Sequence, residues 1–293
     1  MRKIAIVLMF VLAPSIVLAQ GEWKLSGDLS LNVTQNAYSD SWTGGEAGTV
    51  SWVSIANMIA EKQLSPKYHW RNTGKFSFGQ IHNQDPETND WEKPEKSTDK
   101  IDIESVLKMT LGAVVDPYVA FRLESQFLDN SVPEVKRLIN PILLTESAGA
   151  SRTLYKEEER GEVITRLGLA IRQRIDRTVV SIEPEETSTE TTTDGGLEWV
   201  TDVNYVITPE KLRYESKLSV FQAFFNSESD ELEGQPNEDY WKSPDLNWEN
   251  IITASINQYV QVSLYTQLLY DKEIDKRGRF KETLALGVTY KLF

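Results

Sequence analysis

Along about a dozen segments of this chain the side chains alternate between apolar and polar with a period of two residues. That is the period of an extended strand, whose neighbouring side chains point to opposite faces. The clearest case is 281–292, where Leu284, Leu286, Val288, Tyr290 and Leu292 share one row while Thr283, Ala285, Gly287, Thr289 and Lys291 share the other. At 23–34 the rows are Trp23, Leu25, Leu29, Leu31 and Val33 against Lys24, Ser26, Asp28, Ser30, Asn32 and Thr34. Segments 69–80 and 101–111 repeat the pattern, as do 118–128, 163–175, 197–207, 212–224, 246–257 and 260–270, although Gln222 and Asn250 interrupt their apolar rows. Segments 49–62 and 141–154 are long enough but alternate poorly. The count is twelve strands, each with one dry face and one wet face.

A chain built only of such strands must hide twelve dry faces. Apart from the amino-terminal run, no stretch of about 18 apolar residues is present, so a bundle of membrane helices is excluded. The first residues have the form of a secretory signal: Arg2 and Lys3 precede an apolar run from Ile4 to Leu18 interrupted by Pro14, with small residues at Val17 and Ala19. Cleavage after Ala19 is expected, leaving 20–293 as a single barrel domain. The chain has no cysteine, which removes disulfides, thiolate metal sites and cysteine nucleophiles together. Without Arg2 and Lys3 the 31 basic residues fall to 29 against 44 acidic ones, a net −15. Such a balance argues against nucleic acid as a partner. A mean hydropathy of −0.39 does not argue against a membrane, because a barrel shows lipid only every second strand residue and is polar inside.

The connections are a second test, since bacterial barrels place short periplasmic turns and longer outer loops in succession. The gaps 36–48, 81–99, 130–140, 176–195, 226–244 and 271–280 are long, and those at 63–67, 114–117, 155–161, 208–210 and about 258 are short. The expected fold is therefore all-β, a transmembrane up-and-down antiparallel barrel of about 12 strands, closed by pairing 23–34 with 281–292. Both termini are expected to be periplasmic. The long loops carry clustered acids, read as solvated loop or as sites for divalent cations bridging anionic lipid head groups.

The final residues Gly287-Val288-Thr289-Tyr290-Lys291-Leu292-Phe293 resemble the recognition strand of outer-membrane proteins, handed to the barrel-assembly machinery as a free edge before closure. The apolar row ends at Leu292, leaving Phe293 one residue out of register. The order of motifs Trp42-Thr43-Gly44-Gly45-Glu46, Trp70-Arg71-Asn72, Asn247-Trp248-Glu249, Tyr270-Asp271 and Gly287-Val288-Thr289-Tyr290 resembles domain-of-unknown-function family 3078, a group of outer-membrane barrels. The resemblance runs along nearly the whole mature chain and implies a fold and a bacterial outer-membrane location, with membrane lipid and the assembly machinery as partners. It brings no substrate and no catalytic residue.

With the apolar rows turned to lipid, the polar rows line the lumen. They contain Arg71, Lys75, Lys108, Arg122, Arg166, Arg172, Arg174, Arg213 and Lys217 with Asp28, Asp102, Glu104, Glu124, Glu198, Asp202, Glu215 and Glu249. One reading pairs these charges and fills a narrow lumen, because unpaired ions there are costly; Lys217 and Asp202 are the pair suggested by the short 208–210 turn. The other makes Arg166, Arg172 and Arg174 a ladder favouring anionic solutes. The leading expectation is a narrow channel for small polar or anionic solutes, the alternative a structural or partner-binding barrel with a plugged lumen. A rim-located lipid hydrolase is the weakest candidate: of the two histidines, His69 lies eight residues from Ser77 on one strand, far beyond hydrogen-bond reach, and His82 sits in a loop. No metal-spaced cluster, phosphate loop or dinucleotide fingerprint is present, and no cofactor is expected. Trp42, Gly44 and Gly45 form either a simple turn or an inward-folded constriction. Trp23, Tyr68, Trp70, Trp199, Tyr205, Tyr214, Trp248 and Tyr270 are read as an interface girdle.

Overall fold

The computed structural model describes residues 22–38 and 47–292. The expected signal segment, the Trp42–Gly45 motif and Phe293 lie outside the described residues. Fourteen strands follow in order: β1 (Lys24–Asn36), β2 (Thr49–Ser65), β3 (Tyr68–Asn83), β4 (Glu95–Met109), β5 (Asp116–Ser125), β6 (Leu128–Asp129), β7 (Arg137–Leu138), β8 (Ile142–Glu157), β9 (Gly161–Ser181), β10 (Glu186–Thr208), β11 (Leu212–Asn226), β12 (Asp245–Ser255), β13 (Val260–Asp271) and β14 (Asp275–Lys291). Twelve of them close into one barrel in the order β1-β14-β13-β12-β11-β10-β9-β8-β5-β4-β3-β2, and β6 and β7 form a separate small hairpin after β5. Every junction is antiparallel, and β1 meets β14 as expected, from Asp28↔Lys291 to Asn32↔Gly287. Among the described residues no helix is long and apolar enough to cross a membrane.

All twelve expected strands are present, including the two that alternate poorly. In β2 the inward row, set by the pairs Ser30↔Ile55 and Asn32↔Val53, contains Val53, Ile55 and Ile59. Apolar residues therefore stand on both faces of this strand, which blurs the alternation. In β8 both rows use small residues: Ser147, Gly149 and Ser151 inward against Ala148 and Ala150 outward.

The connections differ more. The acidic, Thr-rich run expected as a loop over 176–195 is instead a continuation of β9 and β10, with a turn only at 182–185. The threonines at 187 and 189 pair with Val179 and Arg177; β-branched residues favour a ladder once a partner strand is in reach. Likewise β14 begins at Asp275, so the 271–280 connection shrinks to a turn, and β4 begins at Glu95. The 226–244 connection folds into a helix, α1 (Ser229–Leu232), and a 3-10 turn at Tyr240–Lys242.

Polarity is inverted relative to a soluble protein. Among the described residues 16 polar or charged side chains are buried and only 7 hydrophobic ones, whereas Leu169 and Leu284 are 67% and 70% exposed on the outer surface. Three outward tryptophans satisfy their indole N–H in one way. Trp70 Nε1 donates to Ser105 Oγ at 2.9 Å, Trp199 Nε1 to Thr165 Oγ1 at 2.9 Å, and Trp248 Nε1 to Ser216 Oγ at 3.1 Å. Each acceptor stands two residues before the tryptophan's directly opposed partner, Leu107, Leu167 or Leu218. A donor satisfied within the sheet needs no water outside it.

Candidate functional site

The inward rows converge on a dense set of ion pairs. Asp102 on β4 receives Arg122 of β5 through two nitrogens, Nε and Nη2, both at 2.9 Å. Arg122 also meets Glu124 at 2.9 Å. Two residues along β4, Glu104 accepts Arg166 Nη2 at 2.7 Å and Lys217 Nζ at 2.8 Å. Arg166 further contacts Asp202 at 3.1 Å. Lys100, preceding Asp102 in the same row, donates to Glu249 at 2.5 Å.

Position around the ring gives these contacts their meaning. Arg166 on β9 is three strands from β4, Lys217 on β11 is five, and Glu249 on β12 is six, the far wall of a twelve-strand ring. The bonds therefore cross the lumen rather than run along its wall. Asp102, Glu104, Arg122, Arg166, Lys217 and Glu249 are all at most 9% exposed. Three acids face three bases, so the charge of this buried set cancels. Bidentate and multiply bonded geometry of this kind is what offsets the desolvation of buried ions. Nearer the short turns, Arg71 of β3 reaches Glu162 of β9 at 2.5 Å, a further bond across the lumen.

Toward the long connections, Arg172 lies 3.6 Å over the ring of Phe221 and bonds Asp245 at 2.6 Å, with Asp194 at 3.6 Å. Trp241, carried by the 3-10 turn, packs on the cluster of Ala170, Phe221 and Ala223. Gln222 donates to the Lys242 carbonyl at 2.7 Å, which pins that turn to the barrel wall. The connection that folds over the lumen is thus 226–244. Its signal in the sequence is the Tyr240-Trp241 pair inside an acidic loop.

Several residues singled out from sequence fall into this set, with changed partners. Lys217 and Asp202 are directly opposed in register, but Lys217 bonds Glu104 and Asp202 bonds Arg166. The long Arg166 and Lys217 side chains reach the cross-lumen acid Glu104 in competition with the wall neighbour. Of the arginine ladder, Arg166 and Arg172 are held by acids as described, and Arg174, half exposed, meets Asp176 at 3.1 Å. Arg213 is also exposed and meets Glu215 at 3.8 Å. Sequence reasoning missed Lys100, Glu162 and Lys281. Lys100 continues the two-residue step of Asp102 and Glu104, and extending that row by one position would have found it.

His69 faces Glu61 at 3.8 Å, and His82 pairs in register with Val50 on the outward face; neither is hydrogen-bonded to a serine among the described residues. No group of three or more potential metal-ligating side chains is found among the described residues either. Of the barrel-closing residues, Gly287 and Tyr290 sit in the β1–β14 register, and the Leu292 amide donates to the Gly27 carbonyl at 2.9 Å.

Residues 33–130 match the sequence model of the family described as protein of unknown function DUF3078, so the family likeness holds over that segment; the motifs from Asn247 onward lie beyond it. No curated protein matches the chain in sequence. Among solved structures the barrel is similar to the translocator domain of the autotransporter NalP from Neisseria meningitidis, at 9% identity over 92% of this chain and 88% of that one, TM-score 0.39. It is similar to an outer membrane channel from Pseudomonas putida F1, at 12% identity over 95% and 97%, TM-score 0.40. The NanC porin gives 10% identity over 91% and 100%, TM-score 0.36. These likenesses extend to barrel architecture alone.

Proposed function

We propose that this chain is exported, inserted by barrel-assembly machinery into a bacterial outer membrane with its termini and short turns in the periplasm, and closed at mid-height to small solutes. The membrane placement is supported by the exposed apolar rows and by the indole donors satisfied within the sheet. The closure rests on one observation, the bond of Lys100 to Glu249 across the full ring. An ion crossing the lumen at that level would have to separate this pair and pass the bonded charges around Asp102 and Glu104.

This is the plugged, structural or partner-binding alternative rather than the narrow channel. An anion-selective ladder of Arg166, Arg172 and Arg174 needs free cations, and all three already meet carboxylates. In planar bilayers the purified protein is expected to carry no steady current, and Lys100→Gln/Glu249→Gln/Glu104→Gln to carry one. A unitary conductance from the unaltered protein would defeat the closure. Recovery of the protein in soluble or inner-membrane fractions of the native cell would defeat the placement.

A further inference from the structure

The junction of β1 with β14 is the shortest in the barrel. Register runs for thirteen pairs between β1 and β2 but for five between β1 and β14, ending at Asn32↔Gly287. Both strands continue past that point, β1 to Asn36 and β14 back to Asp275. Residues 33–36 and 283–286, which the same register would oppose, remain paired to β2 and β13 on their other edges but are not paired with each other. The outward side chains here are apolar and open: Val33, Leu284 and Leu286 are 54%, 70% and 58% exposed. Unpaired backbone at membrane depth is tolerated where it lines a water-filled space, so the gap must communicate with the lumen.

The wall behind the gap is uncharged. Register places Asn32 and Thr34 of β1, Val53 and Ile55 of β2, and Thr283 and Ala285 of β14 on the inward face. The plug begins on the outer flank, at Lys281, whose Nζ donates to Thr98 at 3.1 Å. On the inner flank Asp28 is bonded by Asn57. All the cross-lumen bases and acids of the buried set belong to the opposite arc, on β4, β5, β9, β11 and β12.

We propose that this gap is a lateral port that admits the hydrocarbon chain of a single-chain amphiphile, such as a fatty acid, from the bilayer into the uncharged arc of the lumen beside the plug. It rests on the membrane-embedded, plugged-barrel reading. Four register positions make an opening of about 13 Å along the strands. The lining offers a chain the apolar side chains of Val53, Ile55 and Ala285 and offers a charged head group no ionic partner, so the chain enters and the head stays at the surface. Entry separates no ion pair.

The test uses the protein in phosphatidylcholine vesicles containing stearic acid with a mid-chain photoreactive diazirine, followed by irradiation and peptide mapping. Label is expected on inward Val53, Ile55 or Ala285 as well as on outward Leu31 and Leu286. The chain has no cysteine of its own, so Thr34→Cys/Ala285→Cys can be locked by oxidation alone. Locking should abolish the inward label and leave the outward label, and reduction should restore it. Ala285→Trp should produce the same loss by filling the port. No inward label on the unaltered protein, or inward label surviving both closures, overturns the port. Absence of label on the outward rows would instead overturn the membrane placement.

Discussion

Lys100 and Glu249 meet at 2.5 Å from strands that stand diametrically opposite in the barrel. The Glu249 side chain is 6% exposed and also accepts Gln267 Nε2 at 3.3 Å. Removing the lysine leaves a carboxylate that is only 6% exposed without its cation, and breaking such a pair costs about 3 kcal/mol or more. Lys100→Met should therefore lower the urea midpoint of the folded barrel clearly, while Lys100→Met/Glu249→Met should recover most of it. Additive losses in the double variant would mean that the two charges do not depend on each other.

Gly287 closes the barrel for a steric reason. A Cβ at this position would lie 1.9 Å from Asn32 Oδ1 and 2.9 Å from the Leu31 carbonyl, directly across the β1–β14 register. Gly287→Ala should reduce the yield of the compact, heat-modifiable form seen on gels, and Asn32→Ala should restore part of it. The restoration is partial because the Leu31 carbonyl is backbone and cannot turn away. Normal assembly of Gly287→Val would remove the steric account.

The indole bonds distinguish lipid from water outside the barrel. Thr165→Val keeps the shape of the acceptor for Trp199 Nε1 but removes its hydroxyl. Against hydrocarbon the orphaned donor should cost about 1 kcal/mol, read as a lower denaturant midpoint in vesicles. Against water a solvent molecule replaces the hydroxyl, and no change would be measured.

Glu273 lies in the turn between β13 and β14. Burial, and then the carboxylates of Asp194, Asp271 and Asp245, push its pKa up to about 7, with Arg172 opposing them. The folded turn thus binds this proton more tightly than the unfolded chain. The stability it contributes is complete below the ordinary glutamate value and is lost as pH rises through about 7. Between pH 5 and 8 the unaltered protein should lose more thermal stability than Glu273→Gln does. Parallel curves for the two proteins would refute this assignment.

The barrel was legible in the sequence because a strand's faces are set locally. Lipid outside and a polar lumen inside demand opposite residues at successive positions, so Leu284-to-Leu292 and its nine alternating counterparts declare themselves without knowledge of their neighbours. Even the pairing of β1 with β14 follows from the requirement that no edge stay open. The same locality failed where both rows of a strand resemble each other, in β2 and β8, and where an acidic, Thr-rich run formed a ladder because a partner strand was in reach. What only the tertiary structure decided is whom each inward charge meets. Lys217 has Asp202 beside it on the wall and Glu104 across the lumen, and it bonds Glu104. That choice depends on which long side chains the closed ring sets facing one another at the same level, a property that belongs to the barrel and to no single strand.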